Sequence, residues 1–499
     1  MIVVSSGRCR FQPPTPAAGI NLINVGPSDN LQTVMNNAPE YSRLLIDPAG
    51  THTGNYTVPK SNLDLWNANY AALPAGRATT ALIGSLPIIR SNSNEHAIKV
   101  PINVNNISFK GLQFDPHTSA GLSEHMMLGS LTETVLANVP DNITIDKCLF
   151  IGKPTGGTKR SLVIHASNVT VSDTSILDIK ADVASVSETQ AIWIMNTPGP
   201  VTITNCRLQA SGENFLSGGD TMRLNNVNTT GITLEDCLLD KPLAWQSEPQ
   251  WNVKNTLEIK QGIDVMINRC VLDGCWADAQ SGYALMLTPK NQYGLSDWTK
   301  VANVTFQNSI IRNAAGGFNI AGDDLEEGHL AERTDGIYIL NNLMLLNNTL
   351  YGGPGNGKVW LLTQGPANVH IIHNTCLNNG NSIADYDDGA GDRDTIVGVH
   401  KINYNIFQHN STGIRSNESN SATVNLDRFA PDGYEFISNA ISGGSGGDYP
   451  GGTTLTPTTG NFATYVDLTT GELLSGSPYI GAADGGSDIG CNHTLLSTE

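Results

Sequence analysis

The chain has 499 residues, of which 15% are charged and 39% are hydrophobic, and its 46 acidic and 28 basic side chains give a formal net charge of −18. This composition is too apolar and too weakly charged for a disordered chain, and 51 glycines without a period of three exclude collagen. The acidic balance argues against a protein that holds nucleic acid through phosphate contacts. No run of 18 apolar residues is present, so we expect no membrane span.

Residues 1–95 are predicted to form an N-terminal segment, a capping helix and the first irregular coils of the fold. The first eleven residues contain no apolar run of signal-peptide length. An exported form would therefore need a leader outside this sequence or another route. Further on, Asn30 precedes Leu31, Val34 and Met35, which have helical spacing. An N-cap followed by such an apolar face predicts an amphipathic helix, and we expect it to cover one end of the fold.

A short pattern recurs through residues 96–441 and predicts the architecture. It reads apolar-x-apolar-x-x-small/polar-x-apolar, with a mean spacing of about 33 residues, and its copies begin at residues 107, 143, 169, 201, 232, 265, 304, 337, 369, 400 and 434. Each copy has the period-2 alternation of two short strands separated by a bend. Strands at one fixed spacing, without helices between them, indicate a solenoid or a propeller. A propeller blade would need hairpin turns, which are scarce here, so we predict a parallel β-helix.

The columns of the repeat support this prediction. Positions one, three and eight are apolar, as expected of residues stacked in a continuous core. Position six is small or polar, and it holds Cys148, Thr174, Cys206, Cys237, Cys270, Ser309, Asn342, Asn374 and Asn405. We expect these residues to form a ladder at the bend, where backbone groups need hydrogen-bond partners. Four of the eight cysteines would then be core residues, since adjacent strands, about 4.8 Å apart, are too close for comfortable disulfide geometry.

Beyond the repeat, residues 442–499 are predicted to form a loop rich in Gly and Thr and a C-terminal cap. The complete prediction is an all-β, single-stranded parallel β-helix of about 11–14 coils with an N-terminal capping helix.

Several segments of the chain resemble right-handed parallel β-helix proteins of the pectate-lyase-like superfamily. The resemblance spans roughly residues 20–490, is strongest to bacterial β-helix repeat proteins, and is carried by residues 25–26, 29–32, 54–60, 189–192, 212–214, 254–260, 276–283, 288–292 and 322–324. It implies a right-handed helix. The superfamily contains lyases, hydrolases, epimerases, phage spikes and adhesins, so the resemblance implies a polysaccharide partner and an extracellular, virion or cell-surface location. A homotrimer or a virion assembly is a further implication.

The strand before each copy is predicted to carry the functional groove. Because Leu257 and Ile259 should point inward, Glu258 and Lys260 should share the outer face. The predicted substrate-binding residues at equivalent outward positions on neighbouring coils are Trp193, Asn214, Asn319 and Trp360. Those in the loops beside them are Glu213, Lys290 and Arg333. Aromatic rings, bases and carboxylates together suit a sugar chain.

Two reactions remain open for this groove, and the catalytic candidates are Glu258, Lys260, Lys254, Asp278, Asp323 and Asp324. In a hydrolase, two of the carboxyl groups would serve as acid and base. In a lyase, a lysine or arginine would remove a proton from a uronate, and Asp323 with Asp324 would offer oxygen ligands to Ca²⁺. We expect no cofactor to be required, with Ca²⁺ as the one option. The Gly-His-Gly and Arg-Ile-Lys motifs of polygalacturonases are absent from the sequence, and a non-catalytic structural or glycan-binding protein is the alternative.

Overall fold

The computed structural model describes residues 19–116, 121–181, 188–353, 357–387, 395–444, 448–451 and 462–497. Within these residues the chain winds as a right-handed parallel β-helix, and each full coil adds one strand to each of three parallel sheets. The predicted fold class is therefore confirmed.

The three sheets are numbered in the order in which the chain visits them. Sheet 1 contains the strands Asn21–Val25, Ser42–Ile46, Leu63–Asn67, Ile107–Lys110, Asp141–Asp146, Ser167–Ser172, Val201–Thr204, Thr230–Glu235, Gly262–Asn268, Val301–Gln307, Asp335–Leu340, Ala367–Ile372, His400–Asn403 and Tyr434–Ile437. Sheet 2 contains Thr51–Thr53, Ile88–Arg90, Gln113–Asp115, Leu149–Ile151, Ser175–Ile179, Arg207–Ala210, Leu238–Asp240, Val271–Cys275, Ile310–Ala314, Leu343–Leu346, Thr375–Asn378, Ile406–Gln408 and Ala440–Ser442. Sheet 3 contains Tyr56–Thr57, Ile98–Val100, Leu122–Gly129, Thr158–His165, Gln190–Ile194, Glu213–Ser217, Leu257–Ile259, Tyr283–Leu287, Gly316–Ala321, Lys358–Thr363, Ser382–Asp387 and Ile414–Ser416.

The remaining elements are short. An antiparallel hairpin pairs Leu325–Glu326 with His329–Leu330. The α-helices are Leu31–Asn37, Asn348–Tyr351 and Ala422–Phe429, and the 3₁₀ helices are Tyr70–Ala72, Thr80–Leu82, Leu136–Asn138, Leu243–Ser247, Gln292–Gly294, Phe462–Thr464, Asp484–Gly486 and His493–Leu495.

The register of sheet 1 follows the sequence repeat. Val169 pairs with Val201, Val201 with Ile232, Ile232 with Val265, and Val265 with Val304, so the first positions of successive copies lie directly above one another. Their side chains are buried in one continuous core. Fourteen strands at about 4.8 Å give the sheet a length of about 60 Å.

The bend between sheets 1 and 2 has the same conformation in successive coils. The residue at position five is left-handed, with positive φ at Lys147, Asp173, Asn205, Asp236, Arg269, Asn308, Asn341, His373, Tyr404 and Ser438. Asn and Asp are common in this series because they tolerate that conformation better than most residues. The bend turns the next residue, at position six, into the core.

Position six forms the predicted ladder. The backbone N–H of Asn342 donates to Oδ1 of Asn374 at 3.0 Å, and the N–H of Asn374 donates to Oδ1 of Asn405 at 2.9 Å. The cysteines of this column are buried free thiols. The prediction that they are core residues and not disulfide partners is confirmed, while Cys9 lies outside the described residues.

Helices lie at both ends of the solenoid. Asn30 caps the first helix by accepting the N–H of Thr33 at 2.9 Å, and Leu31 and Met35 are buried in the core, as predicted. At the other end, the helix Ala422–Phe429 adds Leu426 and Phe429 to the same core.

The C-terminal residues lie in a different place from the predicted cap. Residues 462–497 pack along the outer side of sheet 2, where Phe462, Val466, Tyr479 and Ile489 cover Leu377, Ile406 and Ala440. The chain then runs back toward the N-terminal end, and its backbone hydrogen bonds trace this path. The N–H of Gly490 donates to the carbonyl of Tyr404, that of Cys491 to Oγ1 of Thr375, and that of Ser497 to the carbonyl of Asn308. Among the described residues, Tyr449 joins the helix Ala422–Phe429 at the C-terminal end of the solenoid, where its ring stacks on Phe436 at 5.9 Å.

Candidate functional site

The outer face of sheet 3 carries the densest set of polar side chains singled out from the sequence. A central row of outward residues is stacked coil on coil, and it comprises Met127, Val163, Trp193, Leu216, Glu258, Met286, Asn319, Leu361, Asp385 and Arg415. A second, corner row lies three residues earlier in its strands and comprises Glu124, Arg160, Gln190 and Glu213.

The spacing of three between the rows reflects a break in strand alternation. Two consecutive residues, Asn214 and Phe215 in one coil, face the interior between the corner row and the central row, and both are fully buried. The irregularity turns Glu213 toward the outer face, where a regular strand would have placed Asn214. The predicted outward position of Asn214 is therefore wrong. Its Nδ2 donates to the carbonyls of Leu208 and Asp240, both at 2.7 Å.

Two carboxyl groups lie at the centre of the face, each beside a lysine. Nζ of Lys254 is 3.6 Å from Oε1 of Glu213, and Nζ of Lys260 is 3.2 Å from Oε1 of Glu258. Asn255 donates to Oε2 of Glu258 at 3.3 Å. Glu213 and Glu258 are 1% and 2% exposed, so the two lysines, which are partly exposed, separate the carboxyl groups from solvent.

Three further residues complete this cluster. Nε of Arg160 donates to Oε1 of Gln190 at 2.7 Å, and Nε2 of Gln190 donates to Oε2 of Glu213 at 2.8 Å. Glu188, beside the strand, pairs with Lys254 at 2.7 Å. We name the set Arg160, Glu188, Gln190, Glu213, Lys254, Glu258 and Lys260 the carboxylate cluster.

The electrostatics of the cluster separate the roles of its members. Burial raises the pKa of Glu213, and the neighbouring Glu258 carboxylate raises it further, which outweighs the opposite effect of Lys254. Burial acts to lower the pKa of Lys254, but the charges of Glu213 and Glu188 raise it overall. Burial also opposes ionisation of Glu188, yet its hydrogen bond with Lys254 lowers the pKa of that carboxyl. Glu213 is therefore the member that favours its protonated form, and Lys254 stays an ammonium group.

A second polar group adjoins the cluster at the end of sheet 3. The backbone N–H of Lys290 donates to the carbonyl of Lys260 at 3.1 Å, which places these two lysines on neighbouring coils. Nζ of Lys290 pairs with Asp324 at 3.3 Å and also with Glu326. Oδ2 of Asp324 accepts the N–H of Asn291 at 2.8 Å, so Asp324 and Lys290 together fix this corner.

Farther along the central row, Asp385 forms the next charged group. It pairs with Lys358 and with Arg415, whose Nη2 lies 3.0 Å from Oδ2 of Asp385. Between the two charged groups lies Asn319, whose Oδ1 has no hydrogen-bond partner among the described residues. The face thus offers polar side chains over several successive coils.

The two predicted tryptophan contacts do not offer free rings. Trp360 pairs with Phe318 on the inward side of sheet 3 and is fully buried, with the two rings stacked at 5.9 Å. Its predicted outward position is wrong, and Leu361 occupies that position instead. Trp193 does point outward, but the guanidinium of Arg160 covers its ring at 4.0 Å, and its Nε1 donates to the carbonyl of Gly218.

Of the remaining candidates, Asp278 and Arg333 hold backbone in place. Oδ2 of Asp278 accepts the N–H of Val253 at 2.8 Å, next to Lys254. Arg333 donates to the carbonyls of Gly365 and Thr395. Asp323, which precedes Asp324 in the chain, is buried.

Sequence reasoning missed Arg160, Glu188 and Gln190. Gln190 occupies the position equivalent to Glu213 one coil earlier, and Arg160 occupies the same position two coils earlier. Both residues lie three positions before the outward column of their coil, a relation that becomes visible once the break in alternation is known. No comparable signal marks Glu188, which lies outside the strands.

In the part of the chain that the structure describes, no group of three or more His, Cys, Asp or Glu side chains is arranged to hold a metal ion. The expected oxygen ligand Asp324 is occupied by Lys290 and by a backbone N–H. We therefore derive no step through Ca²⁺. No helix among the described residues is long and apolar enough to cross a membrane.

Comparisons with known proteins bear on the fold. No protein-family model matches the chain, and the search of curated proteins finds no match. A mannuronic acid specific polysaccharide family 6 lyase from the human gut microbiota aligns over 85% of this chain and 87% of its own length, at 10% identity and a TM-score of 0.50.

Two other solved structures align at lower TM-scores. The catalytic unit of an α-1,3-glucanase from Streptomyces thermodiastaticus is 13% identical, covers 89% of this chain and 71% of its own, and has a TM-score of 0.48. The A-module of a mannuronan C-5 epimerase from Azotobacter vinelandii is 10% identical, covers 86% and 94%, and has a TM-score of 0.46. At 10% identity, the likeness to the gut lyase is one of architecture, and it shows that this chain has the right-handed parallel β-helix fold.

Proposed function

We propose that the protein is a polysaccharide-acting enzyme that binds a sugar chain on the outer face of sheet 3 and hydrolyses it at the carboxylate cluster. Glu213 is the proton donor, and Glu258 is the base or the nucleophile. The observation that carries this proposal is the pair of adjacent buried carboxyl groups, of which Glu213 has a raised pKa while Glu258 is held by Lys260 and Asn255.

Hydrolysis of a glycosidic bond needs two carboxyl groups in different protonation states. One carboxyl group must keep its proton near neutral pH and give it to the leaving oxygen, whereas the other must act as a carboxylate. Burial and the Glu258 charge favour the protonated form of Glu213, and Nζ of Lys260 lies 3.2 Å from Oε1 of Glu258.

The cations of the face support an acidic or strongly hydroxylated substrate. Arg160, Lys254, Lys260 and Lys290 lie along the same face, and Lys254 and Lys260 are the partly exposed members nearest the two carboxyl groups. A sugar carboxylate would replace the glutamate carboxylates as the ion-pair partner of these flexible ammonium groups. A polysaccharide substrate also fits an extracellular, cell-surface or virion location, which belongs to the same proposal.

The test is an incubation with a panel of neutral and uronate polysaccharides, followed by measurement of new reducing ends. Glu213→Gln and Glu258→Gln should each lower the rate by at least a hundredfold, in line with the contribution of a positioned acid or base. The matched control is Glu235→Gln, which removes a carboxylate paired with Arg269 on sheet 1 and should leave the rate unchanged. A wild-type protein that releases no reducing ends from any glycan would overturn the proposal.

Uronate lyase activity is the second candidate, and the lysines beside the carboxyl groups favour it. In that reaction Lys260 in its neutral form would take the proton from C5 of the uronate, the C4–O bond would break, and the leaving oxygen would take a proton from water. The new C4=C5 double bond absorbs in the ultraviolet. The raised pKa of Lys254 makes that residue a poor base. New ultraviolet absorbance that is lost in Lys260→Met but retained in Glu213→Gln would show that the reaction is elimination and not hydrolysis. Binding of a glycan without cleavage would indicate a non-catalytic glycan-binding protein.

A further inference from the structure

Lys241 is a buried lysine outside the carboxylate cluster, and its contacts converge on the chain around Glu213. It follows the sheet 2 strand Leu238–Asp240 and is 1% exposed. Its Nζ donates to the carbonyl of Ala210 at 2.9 Å, to the carbonyl of Gly212, and to Oδ1 of Asn214 at 2.6 Å. All three acceptors belong to the preceding coil.

These three acceptors define the corner between sheets 2 and 3. Ala210 ends a strand of sheet 2, and Glu213 begins the next strand of sheet 3. An ammonium group has three protons, and here each one has an acceptor, which offsets the free energy of burying the charge. The corner of one coil is thus fastened to a side chain of the next coil.

The same corner is held on its other side by Thr189. The N–H of Gly212 donates to Oγ1 of Thr189 at 2.7 Å, and the N–H of Glu213 donates to the carbonyl of Thr189 at 2.9 Å. A Cβ atom on Gly212 would lie 2.3 Å from that carbonyl oxygen, so the backbone approach requires glycine. With Lys241 on one side and Thr189 on the other, residues 210–214 are clamped between two neighbouring coils.

We propose that Lys241 is a positioning residue that fixes the corner 210–214 and thereby sets the Glu213 carboxyl against Gln190 and Lys254. Lys241 acts from the interior and does not contact the outer face. It supports the break in alternation that turns Glu213 outward, because it holds Asn214 on the inward side. The consequence for catalysis rests on the proposed function, whereas the placement of Glu213 does not.

The experiment compares Lys241→Met with Lys147→Met in the full-length protein. Lys147 is also buried and donates to a backbone carbonyl, that of Pro74 at 2.6 Å, but it lies at a bend between sheets 1 and 2. Hydrogen exchange followed by mass spectrometry should show at least tenfold faster exchange in a peptide covering residues 208–216 for Lys241→Met. Lys147→Met should leave that peptide unchanged.

A double-mutant cycle provides a readout specific to Glu213. The change in Tm caused by Glu213→Gln should differ between the wild-type and the Lys241→Met backgrounds, and it should be the same in the Lys147→Met background. If the protein cleaves a glycan, Lys241→Met should lower kcat more than it changes KM and should shift the alkaline limb of the pH profile, which the pKa of the proton donor Glu213 sets.

The outcomes separate the two proposals. Unchanged exchange at residues 208–216, or an additive cycle, overturns the positioning role whether or not a glycan is cleaved. Faster exchange with an unaltered pH profile in an active enzyme also overturns it, since Lys241 would then stabilise the corner without affecting Glu213. Absence of cleavage by the wild-type protein overturns the proposed function alone, because the exchange and the cycle still decide the role of Lys241.

Discussion

Asn374 and Asn405 are joined side chain to side chain across neighbouring coils, with Nδ2 of Asn374 donating to Oδ1 of Asn405 at 3.0 Å. Both residues are fully buried at position six of the repeat. Because Oδ1 of Asn374 also accepts the backbone N–H of Asn342, each residue of the ladder satisfies a main-chain group in the preceding coil.

We predict that Asn374→Ala lowers the free energy of unfolding by about 2–4 kcal/mol, since it leaves buried donors and acceptors of the ladder without partners. Denaturant unfolding measures the change. Asn379→Ala serves as the control, because Asn379 is exposed and bonds to Asn347 at the surface, and it should change the free energy by less than about 1 kcal/mol. Equal effects in the two variants would contradict the role of the ladder.

The thiols of the core are predicted to be unreactive in the folded protein. Burial raises the pKa of Cys148 to about 12 and that of Cys275 to about 11, so the thiolates of these two residues are scarce at neutral pH, and all the described cysteines are buried away from a reagent. In a Cys9→Ser background, a thiol reagent should label the native protein only at the rate of unfolding and should label all remaining cysteines in denaturant. Rapid labelling of the native protein would contradict this prediction.

Glu213→Gln is expected to stabilise the protein while it removes activity. The folded state holds the Glu213 proton to a higher pH than the unfolded chain does, so the stability contributed by this carboxyl is complete at acidic pH and declines as pH rises through its folded pKa. The neutral amide avoids this loss and can still accept the hydrogen bond from Gln190. The gain should be about 0.5–2 kcal/mol at pH 7, should shrink toward pH 4, and is measured by thermal unfolding across that range.

Lys241 should add a second pH dependence, at alkaline pH. Burial lowers the pKa of Lys241 to about 8 from the ordinary value of 10.5, and the neighbouring groups Cys275, Glu213 and Asp240 oppose that change. Between these two values the unfolded chain binds the proton more tightly than the folded protein does, so the stability contribution of Lys241 rises with pH.

The total rise corresponds to about 3 kcal/mol for one proton. It should appear when the free energies of unfolding of the wild type and Lys241→Met are compared from pH 7 to pH 10.5, with Lys147→Met as the control. A difference between wild type and Lys241→Met that does not change with pH would contradict the prediction.

The sequence predicts the coils of this protein far better than its surface. Stacked columns such as Val201, Ile232 and Val265 are buried in every coil, and the same physical requirement repeats about every 33 residues, so the register could be derived from the repeat. The central pair Glu258 and Lys260 could be placed on one face because its neighbours in the strand alternate cleanly.

The predictions that were wrong, for Trp360 and Asn214, have local structural causes. Trp360 stands among Val359, Leu361 and Leu362, and a strand that is apolar on both faces gives no indication of which side points inward. Asn214 was misplaced because the two consecutive inward residues break the period of two, and a sequence pattern cannot reveal such a break. The pairing of Gln190 with Glu213 depends on which residues lie one coil apart, which only the exact register provides.

The segment that runs back along sheet 2 has a consequence for how the molecule is made. Leu343, Leu377 and Ile406 are covered by residues beyond 460, which leave the ribosome after the coils that they cover. Winding can proceed from the first coil while synthesis continues, but the later coils must wait with an apolar flank open to water. Docking of residues 462–497 is therefore the event that seals this side, and a nascent chain that stalls before this segment has been made would expose an apolar flank prone to aggregation.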